Sequence, residues 1–219
     1  MERVHRKLTK ATFDNLSKEK QLLILQRATS EFANNGFDHA NINTIAEKAG
    51  VSVGSLYKYF GSKQDLFLMT IHQGTVVLQE ILASIVPVEK PFMEKCSELI
   101  QAIQKTSRQQ RELIRLYSEL TSVGNSELVR QLSYEIETIS AEMYTALIKK
   151  GQEEGEIRND LSPEMGAFLM DNLFIALQFS YASEYYQQRF KLFLGCDIEV
   201  KDAFVREEMV KFLSSALRP

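Results

Sequence analysis

Apolar residues recur at helical spacing along nearly the whole chain, and no alternating β-branched run of useful length interrupts them. Leu22, Leu25, Ala28 and Phe32 form one stripe behind Ser17, and Gly36, after Asn34 and Asn35, supplies a left-handed stop. Asn41 is placed to cap a second helix in which Ile42, Ile45, Ala46 and Ala49 share a face before Gly50 breaks it. Ser52 opens a third helix of roughly two turns, ending near Phe60 and Gly61. Ser62 to Asp65 reads as an acidic variant of the capping box, starting a fourth helix through Leu66, Phe67, Ile71 and Val77 towards Ile85. Pro87 and Pro91 mark the next break. Further helices are expected near 91–105, 109–122, 126–151, 163–190 and 202–217, with Gly151 and Gly155 stopping one and Ser162-Pro163 starting another. The expected fold class is all-α: an N-terminal three-helix domain at 1–62, and a C-terminal helical bundle at 63–219.

Composition narrows the classes. No apolar run reaches the roughly 20 residues that span a bilayer, and the first ten residues lack the apolar core of a signal peptide, so a cytoplasmic protein without membrane contact is expected. Cys96 and Cys196 stand apart, and His5, His39 and His72 have no ligand spacing, so no metal, cofactor or disulfide is expected. No Ser/His/Asp set and no converging carboxylates support catalysis. The net charge of -3 hides an asymmetry: residues 1–65 carry +3 and residues 66–219 carry -6. A mildly acidic whole can therefore present a local basic face to phosphates.

The third helix draws attention to where that face lies. On a wheel with Leu56 inward, Phe60 falls beside it, while Gly54, Ser55, Lys58 and Tyr59 sweep the opposite arc and Tyr57 sits at the border. Glycine costs helix stability but permits close backbone approach. Ser55 suits a base edge or phosphate, Tyr57, Lys58 and Tyr59 suit phosphate oxygens, and Lys63 adds charge at the start of the fourth helix. Helix, glycine turn and short second helix is the helix-turn-helix arrangement, although by angles alone an ordinary helical hairpin fits too. Arg3, Arg6, Lys7 and Lys10 form a basic arm, suited to phosphates or to free solvation.

The run "INTIAEKAGVSVGSLYKYFGSKQDLF" resembles the DNA-binding signature of the tetracycline-repressor (TetR) family, with its Ile-Ala, Ala-Gly-Val-Ser, Gly-Ser-Leu-Tyr, Tyr-Phe and Ser-Lys elements in order. The resemblance spans roughly residues 18–70. It implies an all-helical, repressor-like homodimer with a C-terminal domain for effector binding and dimerisation. Its DNA contacts would fall on Thr44, Val53, Ser55, Tyr57, Lys58, Tyr59 and Lys63, with Gly54 allowing close approach, and Ala46, Leu56 and Phe60 holding the core. Val53 departs from the polar residue common at its position, and either reads a thymine methyl or packs.

Beyond residue 70 only pattern speaks. Residues 168–182 are apolar nearly all round yet hold Asp171, Asn172 and Gln178, so every face needs covering. Leu169, Leu173 and Leu177, with Phe204, Met209, Phe212 and Leu213 of the last helix, match the place of the family's four-helix dimer interface. An effector site between the middle helices would draw on Phe92, Met93, Leu113, Tyr117 and Tyr134, and on Ile139, Met143, Phe168, Phe174 and Gln178. With no basic cluster there, a lipophilic small molecule is expected. The expected function is a ligand-released repressor on a near-palindromic DNA operator. A same-fold activator or partner-controlled protein stays open, as does a helical enzyme or lipid carrier.

Overall fold

The structure, a computed structural model, describes residues 8–119 and 127–219, and among these all regular structure is helical. After a single turn at Ala11–Asp14 come α1 (Lys18–His39), α2 (Ile42–Ala49), α3 (Val53–Tyr59), α4 (Lys63–Ile85) and α5 (Phe92–Gln109). There follow α6 (Arg111–Glu119), α7 (Glu127–Glu153), α8 (Pro163–Ala182), α9 (Glu184–Leu194), a 3₁₀ turn at Ile198–Val200 and α10 (Asp202–Leu217). The chain divides into two compact units, Met1–Val76 with Glu112–Ile136, and Val77–Arg111 with Glu137–Pro219. This division falls within α4, whose Leu66, Phe67, Leu68 and Ile71 belong to the first core.

That first core stacks Ile24, Ala28 and Phe32 of α1 on Ile45 and Ala46 of α2, Leu56 and Phe60 around α3, and Phe67 of α4. Each such large apolar side chain contributes about 1.5–3 kcal/mol by leaving water. Phe67 receives Phe32 edge-on at 5.1 Å and Phe37 at 5.2 Å. Gly36 has φ 69 and kinks α1 where the sequence places a stop, so the helix resumes for one short turn instead of ending. The buried Glu31 carboxylate accepts from Asn41 N at 3.1 Å and Asn35 Nδ2 at 3.0 Å and pairs with Lys48 at 3.6 Å, which fixes the α1–α2 corner.

The second unit buries Phe92, Cys96, Leu99 and Ile100 of α5 against Tyr144, Leu147 and Ile148 of α7 and Met170, Phe174 and Leu177 of α8. Tyr181 donates to Asp202 Oδ1 at 2.6 Å, Arg108 pairs with the same carboxylate, and Gln104 Nε2 donates to the Asp202 carbonyl at 3.0 Å, joining α5, α8 and α10. Lys95 is buried along its length and ends 3.0 Å from the Val86 carbonyl. Two expectations change here. Gly151 does not stop α7, which runs to Glu153; a Cβ there would meet Ile157 Cδ1 at 2.7 Å, so the glycine serves close packing. The expected helix at 163–190 is two helices, broken at an extended Ser183 (φ -99, ψ 127).

Helix α4 runs from the first unit into the second. Although Thr70, His72 and Gln73 interrupt its apolar run, it is long and apolar enough overall to cross a membrane, and half of the qualifying window is buried within the fold. Its Thr70 and Thr75 hydroxyls each donate to a carbonyl three residues back, at 2.6 Å.

Candidate nucleic-acid interface

Helices α2 and α3 meet through a three-residue turn. Gly50 ends α2 in the left-handed region (φ 62, ψ 44), with its N–H on Glu47 O and Val51 N–H on Ala46 O, both at 3.0 Å. These paired bonds satisfy carbonyls that a helix end leaves bare. Ser52 then caps α3, its Oγ accepting from Ser55 N at 3.1 Å and lying 2.8 Å from Ser55 Oγ. Leu56 and Phe60 are buried, so the core holds α3 by one edge.

The outward arc is narrower than expected. Gly54 and Lys58 are exposed, Tyr57 is 46% exposed, and Thr44 and Ser55 are half-buried. Tyr59 is turned inwards instead, half-buried with its ring 6.1 Å from Phe13, because a residue three beyond Leu56 flanks the buried edge. Val53 packs partly against the same core. Lys63 is not a free cation: its Nζ sits 3.0 Å from Asp38 O and 5.2 Å over the Phe37 ring.

Lys63 belongs to a set the sequence does not announce. Lys20 Nζ lies 2.8 Å from Ala49 O and 3.2 Å from Gly50 O, and Lys10 Nζ lies 3.2 Å from Tyr57 O. One lysine thus neutralises the C-terminal pole of each of α1, α2 and α3. Lys10 is therefore drawn out of the expected basic arm, whose Arg3, Arg6 and Lys7 lie outside the described residues.

The expected effector residues divide between the units. Phe92 and Phe174 are buried in the second core, with Met93, Ile139 and Met143 partly buried against it and Gln178 half-buried. Leu113 and Tyr117 belong to the first unit, as does Tyr134, which is 73% exposed. Phe168 is 61% exposed, so it faces out of α8 and does not line the core. The second core instead holds a polar group the pattern did not assemble. Tyr144 stands edge-on to Phe174 at 5.6 Å, and Asp171 hydrogen-bonds Ser140 close to Glu137. Burial and the Glu137 charge push the Asp171 carboxyl up to about 6. Burial likewise pushes the Cys96 thiol up to about 12, which keeps it unreactive.

Of the expected dimer residues, Leu177 and Leu213 are buried, and Leu173 and Met209 pack partly against their own core. Leu169 and Phe204 are exposed, and Phe212 is 62% exposed. Met165 joins Phe168 and Leu169 on one bare apolar face of α8, and α9 displays Leu192 at 85% exposure beside Phe193. The α9 residues were not anticipated; their only signal is the run "FKLFL". Among the described residues no group of three His, Cys, Asp or Glu could hold a metal ion.

A short second helix held by one edge, behind a glycine turn, with a helical C-terminal unit, defines a helix-turn-helix DNA-binding protein. Residues 24–69 match the family model for "Bacterial regulatory proteins, tetR family". The probable acrEF/envCD operon repressor of Escherichia coli strain K12 is 27% identical over 173 residues, covering 76% of this chain and 77% of that protein. A TetR family transcriptional regulator from Chloroflexus aurantiacus J-10-FL has the same fold, with TM-score 0.67 and 23% identity over 96% of this chain and 99% of the other. So does AibR, solved with isovaleryl coenzyme A and operator DNA, with TM-score 0.66 and 16% identity over 89% and 97% of the two chains. Residues 24–69 are thus a DNA-binding domain of the TetR family, and the relatives that match most of the chain are transcriptional regulators.

Proposed function

We propose that this regulator is a repressor that binds a near-palindromic operator as a homodimer and is released by a small lipophilic molecule. The observation that carries the reading is the α3 edge: Gly54, Tyr57 and Lys58 are exposed on a helix whose opposite edge, Leu56 and Phe60, is buried. Such a helix enters the major groove, with Gly54 admitting the groove wall and Tyr57 and Lys58 on phosphates. Thr44 and Ser55 supply polar contacts, and Val53 reads through its packing alone. Two recognition helices about one DNA turn apart, or a multiple of it, require a dimer. The bare faces of α8 and α10, around Phe168, Leu169, Phe204 and Phe212, supply its interface.

Release requires a ligand that prefers a dimer state with mismatched recognition helices. We place its site among Phe92, Met93, Ile139, Met143 and Phe174, whose apolar walls suit a lipophilic group, and α4 as the helix that tilts. AibR was solved with isovaleryl coenzyme A, so free short- and long-chain fatty acids, which offer the acyl group without the charged carrier, are the first effectors to screen, with their coenzyme A esters beside them. The sign of regulation follows the operon repressor similar to this chain.

Mobility shift with the DNA upstream of the protein's own gene, at fixed salt, tests the reading. A discrete dimer complex that Tyr57→Ala with Lys58→Ala abolishes, while dimerisation persists, is the expected result. Binding that ignores sequence, or survives the double substitution, would sink it. Adding effector should dissolve the complex; an effector that strengthens it would make the protein a co-repressed or activating member.

A further inference from the structure

Helix α3 has seven residues, too short to hold its shape alone, and its last carbonyls find no partner within it. Only Leu56 O is taken locally, by Phe60 N at 2.8 Å. The next three carbonyls are all taken by one short segment from before α1. Lys10 Nζ reaches Tyr57 O at 3.2 Å, Thr12 Oγ1 donates to Lys58 O at 2.5 Å, and Lys10 N donates to Tyr59 O at 2.9 Å. This segment lies outside the family match at residues 24–69.

Its grip is firm because the segment is itself anchored. Leu8 and Phe13 are buried in the first core, and the Phe13 ring lies 4.7 Å from that of Phe60. Gln21 Nε2 donates to the carbonyls of Phe13, Asp14 and Leu16, each at 3.1 Å, and Thr9 Oγ1 donates to Asp14 Oδ1 at 3.2 Å.

We propose that Lys10 and Thr12 are positioning residues for operator recognition: by capping the carbonyls of Tyr57, Lys58 and Tyr59 they fix the pitch at which α3 presents its side chains to DNA. The inference rests on the reading that α3 enters the groove. The C-terminal pole of a helix carries about half a negative charge, which would face the phosphates that Tyr57 and Lys58 approach. The Lys10 ammonium cancels that charge, and the Thr12 hydroxyl occupies the middle carbonyl. Lys10 thus serves recognition through α3, without a phosphate contact of its own.

The test uses the full-length protein and a duplex that the wild type itself selects from a randomised pool. Thr12→Val keeps the side-chain shape and removes the donor; Thr12→Ser restores it; Lys10→Met removes the ammonium. With every variant fully folded by circular dichroism at the assay temperature, Thr12→Val and Lys10→Met should each bind the selected duplex about three- to tenfold more weakly. Affinity for an unrelated duplex should not change after Thr12→Val, and Thr12→Ser should recover specific binding. Amide exchange should quicken in α3 of Thr12→Val while that of α2 stays slow.

Equal operator affinity for wild type and Thr12→Val overturns the proposal, as does a parallel loss of specific and unspecific binding, which marks mere destabilisation. A salt slope lowered in Lys10→Met by about 0.9 per subunit makes Lys10 a direct phosphate contact and overturns its positioning role. A wild type that selects no duplex overturns the DNA-binding reading and this inference with it, whereas the other outcomes leave that reading intact.

Discussion

Two glycines in the helix-turn-helix have opposite reasons to be there. At Gly50 the backbone has φ 62, and an added Cβ would meet only Lys20 Nζ at 3.6 Å, so conformation and not space excludes other residues. Gly54 is exposed with helical backbone, and a Cβ would find its nearest neighbour, Ser52 Oγ, at 3.9 Å. Gly50→Ala should therefore cost about 1–2 kcal/mol in urea denaturation. Gly54→Ala should leave the free protein as stable or more so, by up to about 1 kcal/mol, yet weaken operator binding. Unchanged affinity in Gly54→Ala would show that α3 does not approach DNA through that residue. Asp171 gives a prediction in pH. Its folded carboxyl sits at about 6, above the unfolded value of about 3.9, so protonation favours the fold. The stability it lends is full below about pH 4 and is lost as pH rises through 6. Asp171→Asn should thus be more stable than wild type at pH 7.5, with the gap closing towards pH 5; a gap constant across that range would refute the shift.

Capping explains both what the chain disclosed at the level of its helices and what it hid. Ser17, Asn41, Ser52 and Ser162 stand out in the sequence, and each accepts the bond expected, from Lys20 N at 3.2 Å, Asn43 N at 2.9 Å, Ser55 N at 3.1 Å and Met165 N at 3.3 Å. These are local interactions, so a local reading finds them. Ser52→Ala should cost about 1 kcal/mol by this mechanism, measurable by denaturation, with the larger proportion falling on α3 because Ser52 also holds the Ser55 hydroxyl. The helix C-termini were opaque for the opposite reason. Lys10, Lys20 and Lys63 reach carbonyls 47, 29 or 30, and 25 residues away, and no spacing rule links such pairs. Ser183 shows the same limit: nothing in "SYASEYYQQ" forbids a continuous helix, and the break is held by Gln187 Nε2 on the Tyr181 carbonyl at 3.0 Å while the Tyr181 hydroxyl is drawn to Asp202. Tyr59 belongs to the inner side by its angle alone, about 60° from Leu56 at 100° per residue, and Phe13, which precedes α1 in the chain, covers that edge. The family signature was legible because it is a short, ordered run; the apolar effector residues were not, since buried core and ligand wall share one composition.

At the scale of the whole molecule, the basic excess of residues 1–65 and the bare apolar faces of the second unit each pose a need that the proposed dimer would meet. Residues 1–65 carry +3 in a chain of net charge -3, and the proposed homodimer would bring two such basic faces to one duplex. The second unit carries the complementary need. On α8, Met165, Phe168 and Leu169 lie bare on one face, and on α10 so do Phe204 and Phe212. Contiguous exposed apolar surface of this kind marks an interaction site. Because these side chains are solvent-facing in the monomer, charging them should spare its fold: Phe168→Glu with Phe212→Glu should melt near the wild-type monomer but sediment as a single chain at micromolar concentration. The double variant should then bind an isolated half-site as wild type does, while losing the palindromic operator's gain, which depends on the second subunit acting at high effective concentration. Sedimentation as an intact dimer would reject the α8–α10 interface and move it to the other bare surface, Leu192 and Phe193 of α9, where the same charge substitutions would have to break the dimer.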